Sequence, residues 1–169
     1  MPVVRPTIEE MQKHYPSSFE LHRPDLFKSI GWDREIDNPA FNDTCAIRGS
    51  LGLLGCNVPV RGRMQVLKGP LKGKWIEPGQ QKLSIFLRDY WGAPERLKAN
   101  ELFQLAGRCG LISHFNIHPD SPIAQGHFDV LDPTPQELFR CASLCHWTAA
   151  ETWFWELPRG SGKPAKPQH

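Results

Sequence analysis

Asn42-Asp-Thr-Cys-Ala-Ile-Arg-Gly-Ser-Leu-Gly-Leu-Leu54 is the stretch from which the fold is read. Three residues that favour helix N-caps, Asn42, Asp43 and Thr44, stand directly before apolar positions Ile47, Leu51 and Leu54 at helical spacing. The stretch is predicted to form a helix to about Leu54. Gly49 and Gly52 each cost roughly 1 kcal/mol in helix propensity, which points to close packing against a neighbouring element. Cys45 falls in the first turn, where free N–H groups and the macrodipole favour a thiolate. A buried cysteine that merely packs is the plainer alternative.

Upstream, Thr7-Ile-Glu-Glu10 is a capping box and predicts a short helix to about Tyr15, stopped before Pro16. Residues 23–44 hold four turn signals (Arg23-Pro24, Ile30-Gly31, Asn38-Pro39, Asn42-Asp43) and read mostly as loop. Downstream, residues 58–78 alternate Gly, Pro and basic residues, which gives irregular strands and turns. Leu83, Phe86, Leu87 and Tyr90 form one stripe of a helix over Gln80–Trp91, with Gly92 placed to end it. A short helix is expected over Asn100–Ala106. Strands follow over Leu111–Ile117, with Leu111, Ser113, Phe115 and Ile117 on one face, and over Gly126–Leu131. Thr134-Pro-Gln-Glu137 is a second capping box and predicts a helix through about Cys145. Glu151–Leu157 is rich in β-formers and makes a terminal strand ending at Pro158. Helices first, then a small sheet, define an α+β fold. One domain is expected over residues 1–158, followed by a disordered tail over 159–169 that is rich in Gly, Pro and Lys.

The chain has 169 residues, enough to bury a core without staples. Its 20 Lys and Arg against 18 Asp and Glu leave a net charge of +2, too small to argue for a nucleic-acid partner. No apolar run approaches the roughly 20 residues that span a membrane. Met1-Pro-Val-Val-Arg5 lacks a signal peptide's apolar stretch, so synthesis in the cytoplasm without a general secretory leader is expected. The cysteines are Cys45, Cys56, Cys109, Cys141 and Cys145; the count is odd and no Cys-x-x-Cys pair exists, which weakens a zinc-ribbon or thioredoxin reading.

Among the histidines, His127 stands out. It follows Gly126, which permits close backbone approach, and opens a strand that can hold the ring rigidly toward a cleft. His14 and His22 read as surface, His114 lies on the other face of its strand, His118 precedes a proline, and His146 follows Cys145. A cysteine at a helix start with a later histidine at a strand start is the papain-like arrangement of nucleophile and base. Trp147, Trp153 and Trp155 read as core. Arg48, Arg61 and Arg63 can meet anionic groups, although scattered basic residues are usually solvated surface.

Phe41-Asn-Asp-Thr-Cys-Ala-Ile-Arg-Gly-Ser50 resembles the nucleophile motif of the type VI secretion amidase effectors of family 4. In the same order, Phe86-Leu-Arg-Asp-Tyr-Trp-Gly92 resembles a helix end of that family, Gly126-His127 its base motif, Cys141-x-x-x-Cys145 its late cysteine pair, and Phe154-Trp-Glu-Leu-Pro158 its closing segment. The resemblance covers residues 41–158. It implies a papain-like cysteine peptidase fold, with N-terminal helices packed on a small antiparallel sheet. The implied activity is that of an antibacterial toxin, injected into a rival's periplasm, that cuts peptidoglycan stem peptides between D-glutamate and meso-diaminopimelate. The implied partners are the stem peptide, a cognate immunity protein and the secretion machinery; no cofactor or metal enters this reading. Four cysteines can then pair in an oxidising periplasm and leave the nucleophile free.

By this resemblance Cys45 is the nucleophile and His127 the acid–base. The family's acidic orienting residue lies between the two late cysteines, where this chain has Ser143. Asp129 shares the face of His127 in a regular strand and is the preferred replacement. Ser143 and Asp132 are the alternatives. The i, i+4 cysteines Cys141 and Cys145 either pack on one helix face or form a disulfide, which requires the helix to end or distort near Ser143. The missing acid keeps open a catalytically impaired papain-like domain that binds peptidoglycan or a protein, and an intracellular thiol peptidase or deamidase acting on proteins is a third alternative.

Overall fold

The computed structural model describes residues 2–160. The first capping box forms as expected. Glu10 N–H donates to Thr7 Oγ1 at 3.2 Å and Thr7 N–H to Glu10 Oε2 at 3.0 Å, opening helix α1 (Ile8–His14), which buries Ile8 and Met11. The loop expected over residues 23–44 is interrupted by helix α2 (Arg23–Ile30) and two short 3-10 helices, Asp33–Glu35 and Asn38-capped Pro39–Phe41. Pro24 lies in the first turn of α2, where its missing N–H costs nothing, and Gly31 ends the helix in the left-handed region at φ 81°. Leu26, Phe27 and Ile30 are buried and hold α2 in place.

Helix α3 (Cys45–Gly55) is the centre of the molecule: Cys45 through Leu54 are all buried. Its glycines are contact points. A methyl on Gly49 would lie 2.6 Å from the Phe128 ring, and one on Gly52 would lie 2.7 Å from Met11 Cε. Strands β1 (Met64–Gln65) and β2 (Trp75–Ile76) make a small antiparallel pair. Helix α4 (Gln80–Trp91) ends at Gly92, φ 100°. Strand β3 (Glu95–Leu97), a 3-10 helix over Ala99–Leu105, β4 (Gly110–Phe115), β5 (His127–Leu131) and β6 (Glu151–Glu156) follow. The main sheet is antiparallel in the order β3-β6-β4-β5, so the C-terminal strand sits inside it. The fold is α+β, as the order of helices and strands predicts.

Strand alternation divides the core. Leu111, Phe128, Val130, Trp153 and Trp155 face the helices. Ile112, Leu131 and Phe154 face the other way, onto Leu97, Leu102 and Leu105. The close approach of α3 to Phe128 brings the N-terminus of α3 to the start of β5.

The helix expected over residues 134–145 does not form. Thr134 Oγ1 accepts from Glu137 N–H at 3.0 Å, but the cap closes only a turn. The chain then pairs with the free edge of β5: Asp132 N–H donates to Arg140 O, Ala142 N–H to Val130 O, and Leu131 bridges Cys141. Cys141 and Cys145 form a disulfide, with Cα atoms 5.5 Å apart. Cys45, Cys56 and Cys109 are free and buried, so one pair forms of the two that four cysteines could make. Of the expected tail, Arg159 Nη2 donates to Asp132 Oδ1 at 2.9 Å and Gly160 N–H to Glu9 Oε2 at 2.9 Å; residues 161–169 lie outside the described residues.

Candidate active site

Cys45 is the first residue of α3, and Asp43, just outside the helix, accepts its N–H on Oδ1 at 3.0 Å. His127 is the first residue of β5. Packing of α3 on β5 therefore sets a rigid thiol beside a rigid imidazole. A carboxylate oxygen of Asp43, the Cys45 sulfur and a His127 ring nitrogen all lie within 4.8 Å of one another.

Asp129 lies two residues along β5, and period-2 alternation puts it on the face of His127. Its Oδ2 is 2.8 Å from His127 Nε2. The Asp129 carboxylate is fully buried, and backbone donors hold it from the other side: Val130 N–H at 2.8 Å and Ser143 N–H at 3.1 Å on Oδ1, and Leu144 N–H at 2.9 Å on Oδ2. Buried charge is costly unless it is hydrogen-bonded in this way. Ser143 thus contributes its backbone, while its hydroxyl accepts from Ser18 Oγ at 3.0 Å. Asp132 is engaged elsewhere, with Arg159 at 2.9 Å and Gln12 Nε2 at 3.3 Å.

The surroundings of Cys45 reverse one expectation. Burial, and next the Asp43 carboxylate, push the thiol well above its usual range. The helix-start argument is outweighed by desolvation. The N–H of Cys45 is also occupied by Asp43, so it is not a free oxyanion donor in this state.

Sequence reasoning passed over the other histidines, yet two of them gather around His127. The rings of His127 and His146 are 4.9 Å apart at 70°, and His114 stacks 6.4 Å from His127. His114 is buried, its Nδ1 is 2.8 Å from Thr152 Oγ1, and its Nε2 accepts His146 N–H at 3.2 Å. That acceptor role fixes a neutral ring, and burial, followed by His127 and His146, pushes His114 down to about 3. Burial and then His127 also lower His146. The sequence signal was available: β4 and β5 are neighbours, and His114 pairs with His127 across them. Two of the arginines read as anion contacts have structural partners. Arg48 is buried and donates to Thr44 Oγ1, Pro16 O and Leu21 O, while Arg63 pairs with Glu77.

A helix-borne cysteine facing a strand-borne histidine, with a carboxylate behind the imidazole and an antiparallel sheet packed on the helices, defines the papain-like α+β class. Residues 41–155 match the family described as type VI secretion system (T6SS), amidase effector protein 4, Tae4, and the chain belongs to that family. Solved structures share the fold. The crystal structure of the type VI effector Tae4 from Enterobacter cloacae superposes with a TM-score of 0.74 at 20% identity, covering 93% of this chain and 99% of that one. The Tae4-Tai4 effector-immunity complex from the same organism gives 0.71 at 19%, covering 90% and 99%. Tae4 from Salmonella typhimurium, in complex with the immunity protein Tai4 from Enterobacter cloacae, gives 0.70 at 17%, covering 91% and 100%. No curated protein sequence matches the chain. The protein is an amidase effector of the type VI secretion system.

Proposed function

We propose that this effector is a cysteine amidase that cuts peptidoglycan stem peptides at the bond between D-glutamate and meso-diaminopimelate. Cys45 is its nucleophile, His127 its acid–base and Asp129 its orienting carboxylate. The observation that carries this reading is the 2.8 Å contact of Asp129 with His127 Nε2, which leaves the other ring nitrogen for Cys45. In the proposed reaction the Cys45 thiol gives its proton to His127 as sulfur attacks the stem-peptide carbonyl. The imidazolium, stabilised by Asp129, returns that proton to the leaving amine, and the acyl group remains as a thioester. His127 then draws a proton from water, whose attack releases the new carboxylate and the thiol. First-turn N–H groups of α3 stabilise the oxyanion once substrate displaces Asp43 from Cys45 N–H.

The proposed place of action is the periplasm of a rival cell, reached through the type VI machinery, where the Cys141–Cys145 disulfide persists. The solved complexes of relatives with Tai4 support a cognate immunity protein as partner. The Asp129–His127 bond argues against the reading of an impaired binding domain. Peptidoglycan fragments incubated with wild type and with Cys45→Ala, and analysed by mass spectrometry, test the proposal. New termini at D-glutamate and diaminopimelate with wild type alone are expected. Equal cleavage by the mutant would end the assignment of Cys45, and cleavage only of added proteins would favour a protein deamidase or peptidase.

A further inference from the structure

Asp43, Cys45 and His127 offer an oxygen, a sulfur and a nitrogen, all within 4.8 Å of one another. That is a zinc-type donor set. A tetrahedral zinc ion with bonds of about 2.0–2.3 Å holds its ligand atoms about 3.3–3.7 Å apart. Side-chain shifts on the order of 1 Å therefore close the site. Asp43 is exposed and held by one hydrogen bond, from Cys45 N–H to Oδ1, about which its other oxygen can swing, whereas Cys45 and His127 are fixed by α3 and β5. Behind His127, the fully buried Asp129 holds Nε2 at 2.8 Å. A carboxylate in that position fixes the tautomer and ring orientation of metal-bound imidazoles and raises their basicity. With Nε2 engaged, Nδ1 is the nitrogen left for a ligand. Asp43 Oδ1 takes the Cys45 N–H, and its second oxygen is left for an ion. Three protein ligands leave a fourth position to water, which reaches the site past the exposed Asp43.

We propose that Asp43, Cys45 and His127 form a binding site for a borderline divalent cation, zinc or its surrogates cobalt and cadmium, and that the bound ion reversibly silences the nucleophile. Binding breaks the Cys45 S–H bond, forms a sulfur–metal bond and releases the proton to solvent; no electrons are transferred. The ion acts as an inhibitor and takes no part in hydrolysis, because it occupies both the sulfur that attacks and the nitrogen that accepts its proton. The binding claim stands on geometry alone, and only the silencing rests on the proposed amidase activity.

The test is a titration of chelator-treated full chain with cobalt(II), followed by absorbance. One equivalent giving sulfur-to-cobalt charge transfer in the near ultraviolet and tetrahedral d–d bands in the visible, both displaced by zinc, is expected. Asp43→Ala should weaken cobalt binding tenfold or more, and Cys45→Ser should remove the charge-transfer band. Thermal unfolding of each metal-free variant separates loss of a ligand from loss of fold. Charge transfer that persists in Cys45→Ser would overturn the site, since Cys56 or Cys109 would then be the ligand. Binding unchanged in Asp43→Ala would overturn it as well. In parallel, zinc should abolish cleavage of peptidoglycan fragments and chelator should restore it. A chain that cleaves nothing when metal-free defeats the amidase reading, while the cobalt bands still decide the site.

Discussion

Thr7-Ile-Glu-Glu10 and Thr134-Pro-Gln-Glu137 carry the same capping signature, yet one opens a helix and the other closes a turn. The cap hydrogen bond forms in both. What differs is what the next residues can bury and what else competes for their backbone. After Thr7, Ile8 and Met11 enter the core with no exposed surface. After Thr134, Glu137 is exposed and Leu138 remains 46% exposed, so a helix there would cover little apolar area. The edge of β5 meanwhile offers unpaired backbone groups, which residues 140–142 take up. A capping box is worth about 1 kcal/mol, too little to outweigh strand pairing and a disulfide. The consequence reaches the candidate site, because the chain that failed to become a helix delivers the amides of Ser143 and Leu144 to Asp129.

The largest expected effect attacks what this loop holds. Asp129→Asn keeps the shape but removes the charge that stabilises the imidazolium in the proposed reaction, and the amide N–H₂ meets the donors of Ser143 and Leu144 without a bond. Hydrolysis of peptidoglycan fragments should fall by about a hundredfold or more, while Cys45 stays alkylatable. A loss under threefold would assign the orienting role elsewhere.

Acid should loosen the loop from the sheet through His114. Its Nε2 accepts the His146 N–H, so a second proton on the ring breaks that bond. The folded ring is pushed down to about 3 from an ordinary 6.5, so its stabilising contribution is complete above pH 6.5. Between pH 6.5 and 3 the unfolded chain binds the proton first, and stability falls as pH falls, by up to about 3 kcal/mol at pH 4. Thermal melts from pH 7 to 4 should show a steeper decline for wild type than for His114→Gln. Parallel slopes would remove His114 as the cause.

Reduction, or the double change Cys141→Ala with Cys145→Ala, should cost about 2 kcal/mol for so short a ring, read as a shift in denaturation midpoint. Activity should fall with it, since the same ring presents the amides that clamp Asp129.

Thr7→Ala and Thr134→Ala set the two capping signatures against each other. The first removes a cap from a helix that packs and should cost about 1 kcal/mol. The second removes one bond from an exposed turn and should cost a few tenths. Equal costs would mean that the turn is as firmly built as the helix.

Much of the site was legible because its parts lie on regular elements. Spacing placed Cys45 at the start of α3, and alternation put Asp129 on the face of His127. Gly49 and Gly52 correctly signalled close packing, though not against which elements. Helix α2 was missed because Arg23-Pro24 reads as a turn, although proline also suits a first helical turn. The clamp on Asp129 was invisible for a different reason: the amides of Ser143 and Leu144 are backbone groups, and any residue supplies them. The upward push of burial on the Cys45 thiol was not legible, because a helix start is local while burial depends on the whole fold.

The smallest effect on activity is expected for Ser143→Ala, and it sharpens the comparison most cheaply. The family resemblance points to an acid at position 143, where this chain has serine; the carboxylate that meets His127 is that of Asp129 on β5, and the loop meets it with N–H groups. Ser143→Ala keeps the N–H that donates to Asp129 at 3.1 Å and removes only the hydroxyl that accepts from Ser18 at 3.0 Å. A part-buried neutral hydrogen bond contributes about 1 kcal/mol, so the melting temperature should fall slightly and the rate of fragment hydrolysis should change by less than twofold. Ser143→Pro, which deletes the N–H itself, should lower the rate markedly more than Ser143→Ala. If Ser143→Ala instead matched Asp129→Asn, the hydroxyl and not the amide would be the functional group of the loop.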